Sequence, residues 1–284
     1  MPSTNPAKEY DARIRRAAHL ASIHPFAQEV LTFYQRIVEF QRKSGEKLFK
    51  DILRQHNGQT SESFLNDDNL KAMLPRFIEF LRLVAESGPS SLAFSAKERL
   101  LEPTHIPAES LQNYWNAART ADDPDSAFQH FFPRAFLQPL AESVPADELA
   151  QSVTPEESSN DNMASGSRCP ICGARPLLGV LRQEGDGGKR FLLCSFCMKE
   201  WDYRRILCPT CGEVAEAKLP IYVAEQFPYV RMEACETCKF YLRTIDLTKD
   251  GNAVPVVDDL AAIPLSLWAN EQNYSRAQPN LLGT

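Results

Sequence analysis

The 284-residue chain has no cysteine before residue 169 and no histidine after residue 130. Any metal site confined to the C-terminal third is therefore expected to be all-thiolate. No stretch approaches the ~18–20 uninterrupted apolar residues of a membrane span. The polar, charged opening lacks the apolar segment of a secretory signal, so a cytoplasmic protein is expected. There is no G-x-S-x-G, no H-E-x-x-H and no Gly-rich phosphate loop of either common type, so an enzyme is not expected. Nor is there a basic excess: 31 Lys+Arg against 37 Asp+Glu gives a net charge of −6, which weighs against a nucleic-acid partner. With 43% hydrophobic and 24% charged residues, the composition excludes global disorder, collagen and coiled coil. The length suits one large or two ordinary domains.

What the chain does have is eight cysteines in four C-x-x-C pairs: Cys169/Cys172, Cys194/Cys197, Cys208/Cys211 and Cys235/Cys238. The pairs belong to a repeat. Cys169-Pro-Ile-Cys-Gly173 recurs 39 residues later as Cys208-Pro-Thr-Cys-Gly212, and Arg190-Phe-Leu-Leu-Cys194 recurs 41 residues later as Arg231-Met-Glu-Ala-Cys235. In a C-x-x-C-Gly turn two thiolates point at one centre, and the Gly tolerates the positive φ that follows. Two such knuckles complete a tetrahedral four-sulfur site. In a reducing compartment this spacing favours metal over a disulfide framework.

Duplication favours tandem sites, Cys169, Cys172, Cys194 and Cys197 in one and Cys208, Cys211, Cys235 and Cys238 in the other, because an autonomous unit must carry its own ligands. Cross-braced pairing is the alternative. The loops within the two units, 21 and 23 residues long, suit a rubredoxin- or zinc-ribbon-like fold. Four sulfurs fit iron or zinc about equally. Iron–sulfur clusters are disfavoured because the close C-x₂-C-x₂-C spacing is missing, and a thioredoxin-like dithiol because no βαβ pattern surrounds the pairs. A small loop-rich region of this kind draws folding free energy from its ions, so metal removal is expected to unfold it and leave the helical part standing.

Upstream of the cysteines the apolar spacing is helical and predicts five to seven helices over about 10–142. Ala27, Val30, Leu31, Tyr34, Ile37 and Val38 follow Pro25, and Leu70, Met73, Leu74, Phe77, Leu81 and Val84 run to a stop at Gly88-Pro89. Leu111, Tyr114, Trp115 and Ala118 mark another helix. Phe128, Phe131, Phe132, Phe136 and Leu140 mark a further one, expected to be kinked or split by Pro133 and Pro139. The expected fold class is α+β. An all-helical domain over 1–142 precedes an acidic Ser/Asn-rich linker over 143–167 and duplicated knuckles over 168–248. Strands are expected at Leu177–Leu181, Arg190–Leu193, Trp201–Ile206, Ile221–Val223 and Tyr241–Asp246. A tail over 249–284 carries a short helix packing back on the body, with Asp258-Asp259 as its capped start.

Gly166-Ser-Arg-Cys-Pro-Ile-Cys-Gly-Ala-Arg-Pro176, Leu193-Cys-Ser-Phe-Cys-Met-Lys-Glu-Trp201, Arg205-Ile-Leu-Cys-Pro-Thr-Cys-Gly212 and the tail Val257-Asp-Asp-Leu-Ala-Ala resemble the formate dehydrogenase accessory proteins of the FdhE type. The resemblance is sharpest over 166–275. It departs from the family text at Ile263-Pro264-Leu265-Ser266, where the tail helix is expected to break. It implies a cytoplasmic maturation factor, a chaperone that binds the catalytic subunit of respiratory formate dehydrogenase before export and is needed for its activity. It also implies rubredoxin-like iron, so that the eight cysteines hold two Fe, one per four-cysteine site, with zinc as the alternative. The ions are expected to be structural and able to sense redox state. A zinc-ribbon nucleic-acid-binding protein and a rubredoxin-like electron carrier are the competing readings.

Several residues have both a functional and a plain reading. Phe196 and Trp201 either present a client surface or simply cover the knuckles, and covering is the commoner role. The first repeat carries eight basic residues (Arg168, Arg175, Arg182, Lys189, Arg190, Lys199, Arg204, Arg205) against four acids, and the second has a small acidic excess. That asymmetry suits an acidic client or a nucleic-acid backbone, or is a solvated face. His19 and His24 read as caps or surface residues before they read as ligands.

Overall fold

The computed structural model describes residues 6–55, 64–103, 105–118, 130–146, 166–185 and 187–283. Seven helices precede the cysteines among the described residues: α1 (Pro6–Ile23), α2 (Gln28–Ser44), α3 (Lys50–Gln55), α4 (Asp67–Ser87), α5 (Ser90–Arg99), α6 (His105–Ala117) and α7 (Phe131–Ser143). The predicted periodic faces of α2 and α4 are the buried ones: Leu31, Tyr34, Ile37 and Val38 on the first, and Leu70, Met73, Phe77, Leu81 and Val84 on the second. The expected linker over 143–167 lies mostly outside the described residues, as does Phe128.

Helix α7 is buried from Phe131 through Ala141. Its two polar side chains within that span are paired inside the protein, Arg134 donating to the Pro279 and Asn280 carbonyls and Gln138 to the Phe196 carbonyl. The split expected at its prolines does not occur: α7 runs unbroken from Phe131 to Ser143. Pro133 falls in the first turn, where an N–H would be unpaired anyway. Pro139 removes the donor to the Ala135 carbonyl, and the buried Gln41 side chain supplies one instead, its Nε2 donating to Ala135 O at 2.7 Å. A neighbouring helix thus satisfies the carbonyl that the proline orphans.

The cysteine region forms one sheet from strands β1 (Pro176–Glu184), β2 (Gly187–Cys194), β3 (Glu200–Asp202), β4 (Ile221–Ala224), β5 (Phe227–Ala234) and β6 (Phe240–Asp246), in the order β3-β2-β1-β6-β5-β4. A two-residue strand, β7 (Ser275–Arg276), adds to β6 in parallel. Each repeat contributes an antiparallel three-strand meander, and the two meanders join head to tail where β1 runs parallel to β6. At that seam Gly179 faces Thr244 so closely that an added Cβ would lie 2.2 Å from the Thr244 hydroxyl oxygen. The glycine lets the repeats meet.

Strand β5 was not among the expected strands. Val230, Met232 and Ala234 are buried and alternate with the outward Arg231 and Glu233, and only Pro228 near the start interrupts the strand pattern; that alternation and the likeness to the segment before Cys194 carried the signal. The strand expected at Trp201–Ile206 is limited to β3, after which the chain bends away.

The tail forms α8 (Pro255–Ala261) and α9 (Ile263–Glu271), broken at Ala262 with φ −81° and ψ 37°, as Ile263-Pro264 predicted. Val254, not Asp258, holds the N-cap position; Asp258 lies in the first turn, where its carboxylate serves the N-cap N–H, Asp259 follows inside α8, and both are fully buried. Asp258 accepts from the Val254 N–H at 2.7 Å and binds Arg16 of α1 at 2.6 Å and the Tyr229 hydroxyl at 2.8 Å. Asp259 holds Arg243 of β6 and Arg276 of β7, each at 2.8 Å. The acids therefore tie α1, the sheet and the tail together.

Among the described residues the two largest apolar clusters set the arrangement. One packs α1, α2 and α8 on the face of the sheet bearing Leu178, Val180, Val230 and Ile245. The other lies within the helices around Phe77, Phe80, Trp115 and Phe136, and it includes the four cysteines of the first repeat. Those cysteines are thus part of the helical interior. This packing ties the helical part to the first four-cysteine cluster, so loss of a metal there is expected to reach the helices as well.

Candidate metal centres

The sulfurs of Cys169, Cys172, Cys194 and Cys197 all lie within 4.8 Å of one another, and so do those of Cys208, Cys211, Cys235 and Cys238. The grouping is tandem, not cross-braced. In site 1, Cys169 Sγ is 3.7 Å from Cys197 Sγ, and Cys172 Sγ is 3.4 Å from Cys194 and 3.6 Å from Cys197. In site 2 the Cys208–Cys238 and Cys211–Cys235 separations are 3.8 and 3.6 Å. These are far beyond a disulfide bond of about 2.05 Å. They match the edge of about 3.8 Å that a tetrahedron with 2.3 Å metal–sulfur bonds requires. The donor set and its spacing fit a closed, four-coordinate iron or zinc ion.

One backbone turn, used four times, builds both sites. In each knuckle the first cysteine's N–H donates to the carbonyl five residues on: Cys169 to Ala174, Cys194 to Lys199, Cys208 to Glu213 and Cys235 to Phe240, at 2.9–3.0 Å. The residue after each second cysteine has positive φ: Gly173 at 76°, Met198 at 54°, Gly212 at 79° and Lys239 at 60°. Glycine takes this left-handed position in the first knuckle of each repeat, whereas Met198 and Lys239 accept its cost in the second. Backbone N–H groups of Phe196 and Cys197 approach Cys194 Sγ, and that of Thr210 approaches Cys208 Sγ, each at 3.4 Å. Such donors stabilise thiolate charge.

The two environments differ. At site 1 all four cysteines are buried. Phe196, 1% exposed, packs edge-on against Trp115 with ring centroids 5.1 Å apart, and its carbonyl accepts from Gln138 Nε2 of α7 at 2.7 Å. Burial, with the charges of Cys194 and Cys172 adding to it, pushes the Tyr114 hydroxyl well above its ordinary value. The half-buried Trp201 donates from its indole to Gly166 O at 2.9 Å. Both aromatics therefore cover the first site. At site 2 Cys208 and Cys235 are buried, whereas Cys211 and Cys238 are half-buried. Glu213 bridges the two knuckles there, accepting from the Thr237 hydroxyl and from the Val214 and Ala215 N–H groups; the Thr237 bond first, then the backbone donors, holds its carboxyl down at about 2. Hydrogen bonds led by that from Cys238 hold the Cys208 thiol down at about 5, while burial pushes Cys211 up to about 11.

The basic residues of the first repeat are largely engaged. Arg182 pairs with Glu200, Lys189 with Glu184 and Asp202, and Arg190 with Glu233, while Lys199 donates to the Glu142 carbonyl. Of the histidines in the described residues, none joins a cysteine cluster; His24 packs on Phe227, ring centroids 4.6 Å apart, and burial lowers its pKa. No helix among the described residues is long and apolar enough to cross a membrane.

Comparison with known proteins follows the division into repeats. Residues 168–205 match the FdhE central domain and residues 206–282 the FdhE C-terminal domain, one four-cysteine site in each. A protein FdhE homolog of Aquifex aeolicus is 27% identical over 97% of this chain and 96% of its own length. One from Haemophilus influenzae strain PittGG is 28% identical over 97% of this chain and 88% of its own. A Pseudomonas aeruginosa homolog is 36% identical over 45% of this chain and 43% of its own. The crystal structure of the FdhE protein from Pseudomonas aeruginosa shares the fold, with a TM-score of 0.64 over 99% of this chain and 98% of that one at 23% identity.

Proposed function

We propose that this chain, which matches the FdhE central and C-terminal domains over 168–282, is an FdhE-type formate dehydrogenase accessory factor, a non-enzymatic cytoplasmic protein that binds the catalytic subunit during its maturation. The eight cysteines hold two iron ions, one in each site. The observation that carries this reading is the pair of four-sulfur clusters with tetrahedral spacing, each on one of the two matched domains.

Thiolate-bound iron in a closed site supplies cross-linking of the fold and a one-electron couple, so the ions are structural and also report redox state. The protein's part is geometric. Four knuckles present eight sulfurs and their backbone donors, and the fold around site 1 excludes water. The nucleic-acid reading is the weaker one, because Arg182, Lys189 and Arg190 already have carboxylate partners.

Anaerobic affinity purification of the full chain is expected to retain the formate dehydrogenase catalytic subunit, and metal analysis to give two irons with thiolate-to-iron charge-transfer absorption. Recovery of no formate dehydrogenase subunit would sink the client assignment. A colourless protein with two zincs would sink the iron and redox assignment alone. Salt-dependent retention on heparin or DNA would favour the nucleic-acid reading.

A further inference from the structure

The two clusters have the same ligands and nearly the same sulfur spacing, yet they are reached from solvent in different ways. At site 1 Cys169 is 3% exposed and Cys172, Cys194 and Cys197 are fully buried among helical core residues. Trp115 and Phe196 cover the cluster, and Gln138 anchors the Phe196 carbonyl. An incoming ligand reaches these sulfurs only if the helical core opens, which costs a substantial fraction of the global stability.

Site 2 lacks this cover. Among the described residues, none of the apolar clusters includes one of its cysteines. Each of its knuckles has one buried cysteine, Cys208 or Cys235, and one half-buried cysteine, Cys211 or Cys238. The accessible pair has exposed chain on both sides, Val214 to Lys218 after Cys211 and Glu236, Thr237 and Lys239 around Cys238. Access to a thiolate, together with its charge, sets its reactivity.

We propose that site 2 is a metal-exchange site, open on its Cys211–Cys238 side to an incoming soft nitrogen or sulfur donor, while site 1 keeps its ion as long as the chain is folded. The step transfers no electron. The donor's lone pair binds the ion, the bond from the ion to Cys211 or Cys238 breaks, and the released thiolate stays as such or takes a proton from water. Repetition at the remaining sulfurs frees the ion in the oxidation state in which it was held. This inference rests on the metal reading above.

The test uses the full chain loaded with zinc in both sites, challenged with excess 4-(2-pyridylazo)resorcinol and, separately, with N-ethylmaleimide. Release is expected in two phases of one equivalent each, separated by about tenfold or more. Peptide mass spectrometry is expected to find maleimide on Cys211 and Cys238 before any of Cys169, Cys172, Cys194 or Cys197. In Cys211→Ser the fast phase is expected to accelerate or vanish while the slow phase and the helical circular dichroism stay unchanged. Release of both equivalents at one rate overturns the inference and leaves the metal reading intact, as does first labelling within site 1. Native mass spectrometry showing no two-ion species overturns the metal reading itself, and the inference with it.

Discussion

Gln138 and Phe196 are joined by a hydrogen bond of 2.7 Å from the side-chain amide of a fully helical residue to the backbone carbonyl of a metal knuckle, with both groups buried. This bond couples the central helix α7 to the turn that carries Cys194 and Cys197. Gln138→Ala is expected to leave that carbonyl without a donor and to cost about 1–3 kcal/mol. Urea unfolding followed by circular dichroism measures it. An unchanged midpoint would show that the helix and the knuckle are not energetically linked.

The sharing of one core by site 1 and the helices separates the consequences of losing each site. Cys172→Ser is expected to reduce metal content by one ion and to lower the melting temperature of the helical signal. Cys211→Ser is expected to remove or weaken one ion and leave that signal nearly unchanged. Structural ions of this kind contribute on the order of 10 kcal/mol to local folding, so the contrast is large enough for a thermal melt to resolve. Equal melting temperatures in the two variants would contradict the packing described for site 1.

Pro139 and Gln41 form a second testable pair. Gln41→Ala removes the donor that serves the Ala135 carbonyl and is expected to cost about 1–3 kcal/mol. In the double variant Gln41→Ala/Pro139→Ala the restored N–H of residue 139 can donate to that carbonyl along the helix. Part of the loss is therefore expected to return, and a double-mutant cycle in denaturant measures it.

Asp259 sits between Arg243 and Arg276, and the Asp259 and Arg243 side chains are both at 0% exposure. Asp259→Ala is expected to destabilise the chain by about 3–5 kcal/mol, because it strands buried cations without their counter-charge. The expected signature is loss of protection against hydrogen exchange at the C-terminus of β6 and in α8.

Gly179 at the seam between repeats has room for no side chain. Gly179→Ala is expected to cost about 1–3 kcal/mol through overpacking against Thr244, and Thr244→Gly in the same chain is expected to recover part of it. Both are read from equilibrium unfolding midpoints.

The chain's linear order was enough to expose the four knuckles, their division into two tandem ligand sets, the helical first half and the break in the tail at Ile263-Pro264. These depend on local turn geometry, on side-chain periodicity and on a duplication whose units carry their own ligands, so near neighbours in sequence decide them. Three features required the tertiary structure. The prolines of α7 were read as kinking or splitting it, yet the helix runs on through Pro139, where Gln41, 94 residues away from Ala135 in sequence, donates the missing hydrogen bond. Asp258 and Asp259 were read as a cap, yet their partners Arg16, Arg243 and Arg276 converge from three distant elements. The inequality of two ligand sets with the same spelling is set by what covers them: helices over the first, solvent beside Cys211 and Cys238 at the second. Burial is a property of the assembled fold, and a repeat that encodes the same turn twice does not encode which copy the rest of the chain will enclose.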